Sequence, residues 1–193
     1  MAFTEFYCQT TGSNLNAGSS TADAALFTFT NGNWDATTGI FIAIGADLSA
    51  ITVGMFASVY IDGASVGVFV GVITEVDDAL DTITVSLSAK SGTAPTTSAT
   101  GRSIKVGGAW KGPNAAEAFP FNFVQNTLTD SSSNPLRVNF KNGDTYSITA
   151  AITQANAGPI VYQGYTTTVT AAATTTLTVA NHQTQPLLCP SLV

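Results

Sequence analysis

Charge is what this sequence has least of. Only 9% of its 193 residues are Asp, Glu, Lys or Arg, against roughly a quarter in ordinary soluble domains, so Thr, Ser, Asn, Gln and Gly must cover most of the surface. The six basic residues, Lys90, Arg102, Lys105, Lys111, Arg137 and Lys141, are spread thinly, and the formal net charge is −6. A sequence-independent grip on nucleic acid depends on Lys and Arg replacing phosphate counterions. No nucleic-acid partner is expected.

Groups that do chemistry are equally scarce. His182 is the one histidine, with no carboxylate or thiol beside it in "VANHQTQPLL"; a solvent-exposed side chain is the expectation, not a catalytic base. The two cysteines, Cys8 and Cys189, stand near opposite ends. That is too few, too far apart, for a disulfide framework or a zinc site. Two free thiols are expected, with a bond between the termini as the alternative.

No apolar run approaches the roughly 18 residues of a spanning helix. The start "MAFTEFYCQT" has neither the basic nor the apolar segment of a secretory signal. The expectation is a chain made and kept in a cytoplasm, with no membrane partner. "GSNLNAGSS" and "VGGAWKGPN" are rich in glycine, but neither has the spacing that cradles a phosphate between a strand and a helix. No cofactor is expected.

What the sequence does contain is strand. Hydrophobic residues make up 45% of it, ample for a core, and their period is two. In "SVYIDGASVGVFVGVITEVDDALDTITVSL", Asp62-Gly63 is suited to a two-residue hairpin turn. "ASVGVFVGVITEV" from Ala64 reads as a long buried strand, with Gly67 and Gly71 marking bends or bulges. Asp77 to Asp81 turns the chain again into "TITVSLSA", and "RSIKV" adds a further strand. Together these describe a small β-barrel or sandwich over 51–106.

Residues 1–50 read as an extended N-terminal arm followed by a hairpin, with two strands around an Asn31-Gly32-Asn33 turn. Residues 107–113 read as a linker. The segment 114–193 opens with a short helix, Asn114 to Phe119, suggested by a capping-box pair at Asn114 and Glu117 and ended by Pro120. It continues as strands recurring about every ten residues, around an Asn142-Gly143 turn: a second sheet or the first rungs of a β-solenoid. The fold class is all-β.

The one concentration of charge, Glu75, Asp77, Asp78 and Asp81, falls at a hairpin tip. Asp is favoured there because it hydrogen-bonds nearby backbone; calcium binding is the alternative reading. Paired carboxylates at Asp77 and Asp78 would be the place to look for a polysaccharide-cleaving enzyme, but a non-enzymatic protein is expected. Trp34 and Trp110 would stack on sugars if exposed, which motivates a carbohydrate-binding module as an alternative. Packing or interface roles are the commoner use of such rings.

The runs "GADLSAITVGMFASVYIDGASVGVFVGVITEVDDALDTITVS", "KSGTAPTTSATGRSIKVGGAWKGPN", "FPFNFV" and "RVNFKNGDTYSITAAITQANAGPIVYQGYTTT" resemble structural proteins of tailed bacteriophages. In those relatives a small β-domain precedes the beginning of a right-handed β-helix. The likeness runs from about Gly12 to Thr168 and transfers no functional residue. It implies a virion protein, foremost a capsid decoration (cement) protein with the major capsid protein as partner, and alternatively the N-terminal attachment piece of a tail fibre or spike. Few edge-guarding lysines in so many strands point the same way, toward association. The expected assembly is a homo-oligomer, a trimer foremost, with Phe3, Phe6, Tyr7, Trp34 and Trp110 as interface residues. The polar arm has few means of burying itself, so the apolar area to order Phe3, Phe6 and Tyr7 is expected from a neighbouring chain.

Overall fold

The computed structural model describes residues 4–63, 69–88, 91–92, 94–112, 136–148, 160–165 and 176–179. Their strands are β1 (Thr4–Cys8), β2 (Phe27–Asp35), β3 (Ile40–Ile42), β4 (Phe56–Ile61), β5 (Phe69–Asp77), β6 (Thr82–Val85), β7 (Ser91–Gly92), β8 (Ala99–Val106), β9 (Leu136–Lys141), β10 (Thr145–Ile148), β11 (Ile160–Tyr165) and β12 (Thr176–Val179). No helix occurs among the described residues, and the fold is all-β. The expected helix from Asn114 to Phe119 lies outside them.

Six strands close into an antiparallel barrel in the order β4-β8-β2-β3-β6-β5, with β4 and β5 pairing to seal it and the short β7 added on β5. Period-two alternation aims Ala57 and Val59 of β4, Phe69 and Ile73 of β5, Ile83 and Val85 of β6, and Ile104 and Val106 of β8 into one core with Trp34 and Phe41. Leu48 and Ile51, from the connection between β3 and β4, join the same core. Closure leaves the barrel no long bare edge. It also needs β2 and β3, so the barrel begins at Phe27, ahead of the boundary at residue 50 read from the sequence.

Two turns differ from expectation. Asn31-Gly32 does not separate two strands; it lies inside β2, where the register against β8 shifts on both sides of Gly32 and Asn31 has φ +58°. That is a bulge, which bends a strand without ending it. The chain reverses instead at Ala36–Gly39, where Asp35 accepts hydrogen bonds from the Thr37 N–H and the Thr38 hydroxyl, both at 2.8 Å.

The second difference is register. A two-residue loop at Asp62-Gly63 would set Val59 opposite Val66, but Val59 stands opposite Phe69. An odd shift exchanges the two faces of a strand, and this one turns Phe69 and Ile73 inward. Burying those larger side chains wins over the tightest turn. The irregularity of β5 against β6 falls between Ile73 and Glu75, not at Gly71; Gly67 lies outside the described residues.

The second β-rich unit is a parallel stack. β1, β9 and β11 pair in register, so that Phe6, Val138 and Tyr162 form one column and Cys8, Phe140 and Gly164 the next. β10 and β12 pair in parallel as well. The alternation β9-β10 then β11-β12, each strand beside its counterpart, is that of successive solenoid rungs. The N-terminal segment is extended, as expected, but it is paired within its own chain: β1 lies beside β9 as the first layer.

Candidate functional site

Four of the five aromatic residues singled out in the sequence go to three places. Phe6 and Trp110 meet where the stack is seated on the barrel, their rings stacked with centroids 4.6 Å apart. Val70 and Phe56, from the outer face of the barrel, pack into the same cluster with Cys8, Val138, Phe140 and Tyr146. Trp34 lies in the barrel core, its indole N–H donating to the Pro95 carbonyl at 3.1 Å. Tyr7 is half-buried, with its ring edge-on to Tyr165 at 5.8 Å. Phe3 lies outside the described residues.

Phe6 and Trp110 are wholly buried and Trp34 is 2% exposed. The area expected from a neighbouring chain for Phe6 therefore comes from Trp110 and Phe56 of its own chain. None of the three rings has a face left for a sugar.

The segment read as a linker is part of this junction. The Trp110 N–H donates to the Tyr7 carbonyl and the Gln9 N–H to the Trp110 carbonyl, both at 2.9 Å, a parallel bridge along the outer edge of β1. The indole N–H donates to the Asn16 carbonyl at 2.7 Å. Gly18, at φ +73°, lies so close that a Cβ there would sit 2.5 Å from the indole ring, inside any van der Waals contact. The Asn16 amide donates to Ala109 and Asp23 carbonyls at 2.8 and 2.9 Å. Gln9 donates to the Thr21 carbonyl at 2.9 Å and to the Asp23 carboxylate. Sequence reasoning missed these amides, because only the contact order of the fold brings residues 9–23 against 107–112.

The acidic tip is built to hold backbone. Asp77 caps its own turn, accepting from the Ala79 and Leu80 N–H groups at 3.0 and 3.1 Å. Asp78 accepts from Leu48 N–H at 2.9 Å and Asp81 from Gly45 N–H at 2.8 Å, which ties the connection between β3 and β4 to the β5-β6 hairpin. Glu75 is exposed on β5. Among the described residues no cluster of His, Cys, Asp and Glu could hold a metal ion.

This anchoring leaves an apolar pair in the open. Ala43 N–H donates to the Asp81 carbonyl at 2.8 Å, so the backbone is held to Asp81 on both sides of Ile44, and Leu80 directly precedes Asp81. Ile44 is 71% exposed and Leu80 68% exposed. A loop whose backbone is already held has less conformational freedom to lose on docking. Neither residue stood out in the sequence; the available signal was an apolar residue beside each of two turn formers, Gly45 and Asp81.

No family model, no curated protein and no solved structure matches the chain.

Proposed function

We propose that this chain is a non-enzymatic structural protein of a tailed-bacteriophage virion, foremost a capsid decoration protein that binds the shell through apolar and backbone contacts. The observation that carries the reading is that Ile44 and Leu80 are exposed on the two loops that Asp78 and Asp81 tie together. A surface with so few charges cannot rely on ion pairs for specific attachment, and a pre-ordered apolar tip supplies an alternative. The carboxylates best placed for catalysis are engaged as turn and loop caps. Self-association, with a trimer foremost, belongs to this reading.

The parallel stack favours a second placement, the attachment piece of a tail fibre or spike. Such a stack has a direction: β1 seals one side against the barrel and successive rungs lead away from it.

The test is incorporation into particles. The double variant Ile44→Asp, Leu80→Asp changes only exposed positions, so thermal unfolding is expected to stay within about 0.5 kcal/mol of the unsubstituted protein, while binding to shells is lost. Incorporation at the original level overturns the docking role. Copy number by mass spectrometry of purified particles then places the protein: in proportion to the shell protein for decoration, a few copies at the tail vertex for the second placement. Absence from particles overturns both.

A further inference from the structure

The sequence holds two Asn-Gly pairs, Asn31-Gly32 and Asn142-Gly143. Such a pair can rearrange without an enzyme: the backbone nitrogen after the asparagine attacks the side-chain amide carbon, and glycine, having no Cβ, obstructs the approach least. The step requires the peptide between the two residues to swing until nitrogen and carbon meet. A peptide locked in a sheet and packed against a core does not swing, so the fold decides which pair reacts.

The two pairs are held very differently. Gly32 is buried within β2, opposite Arg102 of β8, and a Cβ there would run into the Phe41 ring and the Ile42 carbonyl oxygen. The Asn31 N–H is also tied, to the Asp62 carboxylate at 2.8 Å. Gly143, by contrast, is exposed at φ +86°, and a Cβ there meets nothing within 4 Å. One long bond closes its turn, from the Asp144 N–H to the Lys141 carbonyl at 3.3 Å. Among the described residues, neither the Gly143 N–H nor the Asn142 side-chain amide has a hydrogen-bond partner. The Asn142 N–H donates to the Tyr165 carbonyl at 2.6 Å, which fixes the peptide before Asn142 and leaves the one after it able to turn.

We propose that Asn142 is a site of spontaneous deamidation in the folded protein, converting mainly to isoaspartate, while Asn31 keeps its amide. The Gly143 nitrogen gives up its proton and bonds to Asn142 Cγ; the Cγ–Nδ2 bond breaks, and the side-chain nitrogen leaves as ammonia with that proton. Water then opens the cyclic imide. Attack at Cγ restores the ordinary main chain with an aspartate, whereas attack at the main-chain carbonyl leaves the chain running through Cγ, one carbon longer, as isoaspartate. No electrons are exchanged, and because the attacking nitrogen must lose its proton the rate rises with pH. The longer turn has a structural consequence. Asp144, two residues on, accepts from the Thr10 N–H at 2.7 Å and from the Tyr146 hydroxyl at 3.2 Å, which ties this turn to the chain leaving β1. The tie to Thr10 loosens as isoaspartate forms. This chemistry is independent of any role in a virion, and its tests use the isolated full chain.

Peptide mapping decides it. Folded protein and guanidinium-unfolded protein are aged side by side at mildly alkaline pH, then cleaved with chymotrypsin and weighed, with isoaspartate told from aspartate by fragmentation. In the folded protein the peptide Lys141–Tyr146 is expected to exchange amide for acid at least about tenfold faster than Thr30–Trp34, since Gly32 reacts only through opening of β2. In the unfolded protein the two peptides are expected to convert at comparable rates. Equal rates in the folded protein, conversion at Asn142 only after unfolding, or aspartate as the main product overturns the proposal. Amide exchange then reads the consequence: the Thr10 N–H is expected to exchange faster in the aged folded protein and unchanged in an Asn142→Gln variant aged alongside it. Unaltered exchange at Thr10 in the converted protein, or equal acceleration in the variant, overturns the loosening.

Discussion

The Phe6 ring lies flat on the Trp110 indole, the two planes only 10° from parallel. One ring belongs to the first layer of the stack and the other to the segment leaving the barrel, so this contact joins the two β units. Phe6→Ala removes a wholly buried aromatic side chain, which costs about 3–5 kcal/mol in most cores. The loss should fall mainly on the stack, since Trp34 reports from a separate core. In single-tryptophan variants, the emission of Trp110 is expected to shift red at lower denaturant than that of Trp34 once Phe6 is truncated. Coincident transitions would mean that barrel and stack unfold as one.

Glu5 is the second fastener. Its carboxylate accepts from Arg137 at 3.0 Å and from the Asn139 amide at 2.6 Å, residues whose own strand lies beside it in register. Asn139 is wholly buried, and a buried donor that loses an acceptor costs about 1–3 kcal/mol. Glu5→Ala is therefore expected to destabilise by about 1–3 kcal/mol, and Glu5→Gln by less, because one oxygen still accepts. Equal losses in the two variants would show that the oxygen on Asn139 contributes little.

Gly63 has φ +80°, and a Cβ built there meets nothing within 4 Å. Gly63→Val is thus a purely conformational change, and a β-branched residue at positive φ costs on the order of 1–2 kcal/mol. Unchanged thermal unfolding would show that the loop adopts another conformation at little cost. The register of β4 and β5 makes this loop longer than a two-residue turn, so the variant should weaken the connection without shifting the strands.

The all-β class and the strands of the central meander were legible because alternation is a local signal, carried by runs such as Thr82–Val85 and Ala99–Val106. The Asp-rich turn was legible for the same reason: Asp77 caps residues two and three positions on. What stayed hidden depends on partners far along the chain. "TEFYC" is too short and too polar to announce a strand, and it becomes one because β9 supplies its ladder more than a hundred residues later. Trp110 sits in a glycine-rich run that looks like a linker, yet Gly108 and Gly112, both at positive φ, are there because Asn16 and the Tyr146 ring press against them. The exposed apolar residues were invisible for a different reason. Exposure of Ile44 and Leu80 follows from which loop Asp78 and Asp81 reach, and no pattern within either segment specifies that.

Alkaline pH should loosen the junction before acid does. Burial pushes the Cys8 thiol well above its ordinary value. Burial, then the neighbouring Cys8 and Asp144, push the Tyr146 hydroxyl up too; that hydroxyl donates to the Cys8 carbonyl at 2.8 Å. Both groups are neutral when protonated, and both hold their protons more tightly folded than unfolded. Their contribution is complete below the unfolded thiol value, near pH 8.5, and declines as pH rises past it. The melting temperature is therefore expected to fall from about pH 8.5 upward, and more steeply above about 10, where unfolded tyrosine also ionises. Cys8→Ala lowers stability at every pH by leaving a small cavity, but it should flatten the slope between pH 8.5 and 10 and leave the steeper fall above 10. If the two proteins lose stability in parallel across that interval, the thiol is not the group that links the junction to pH.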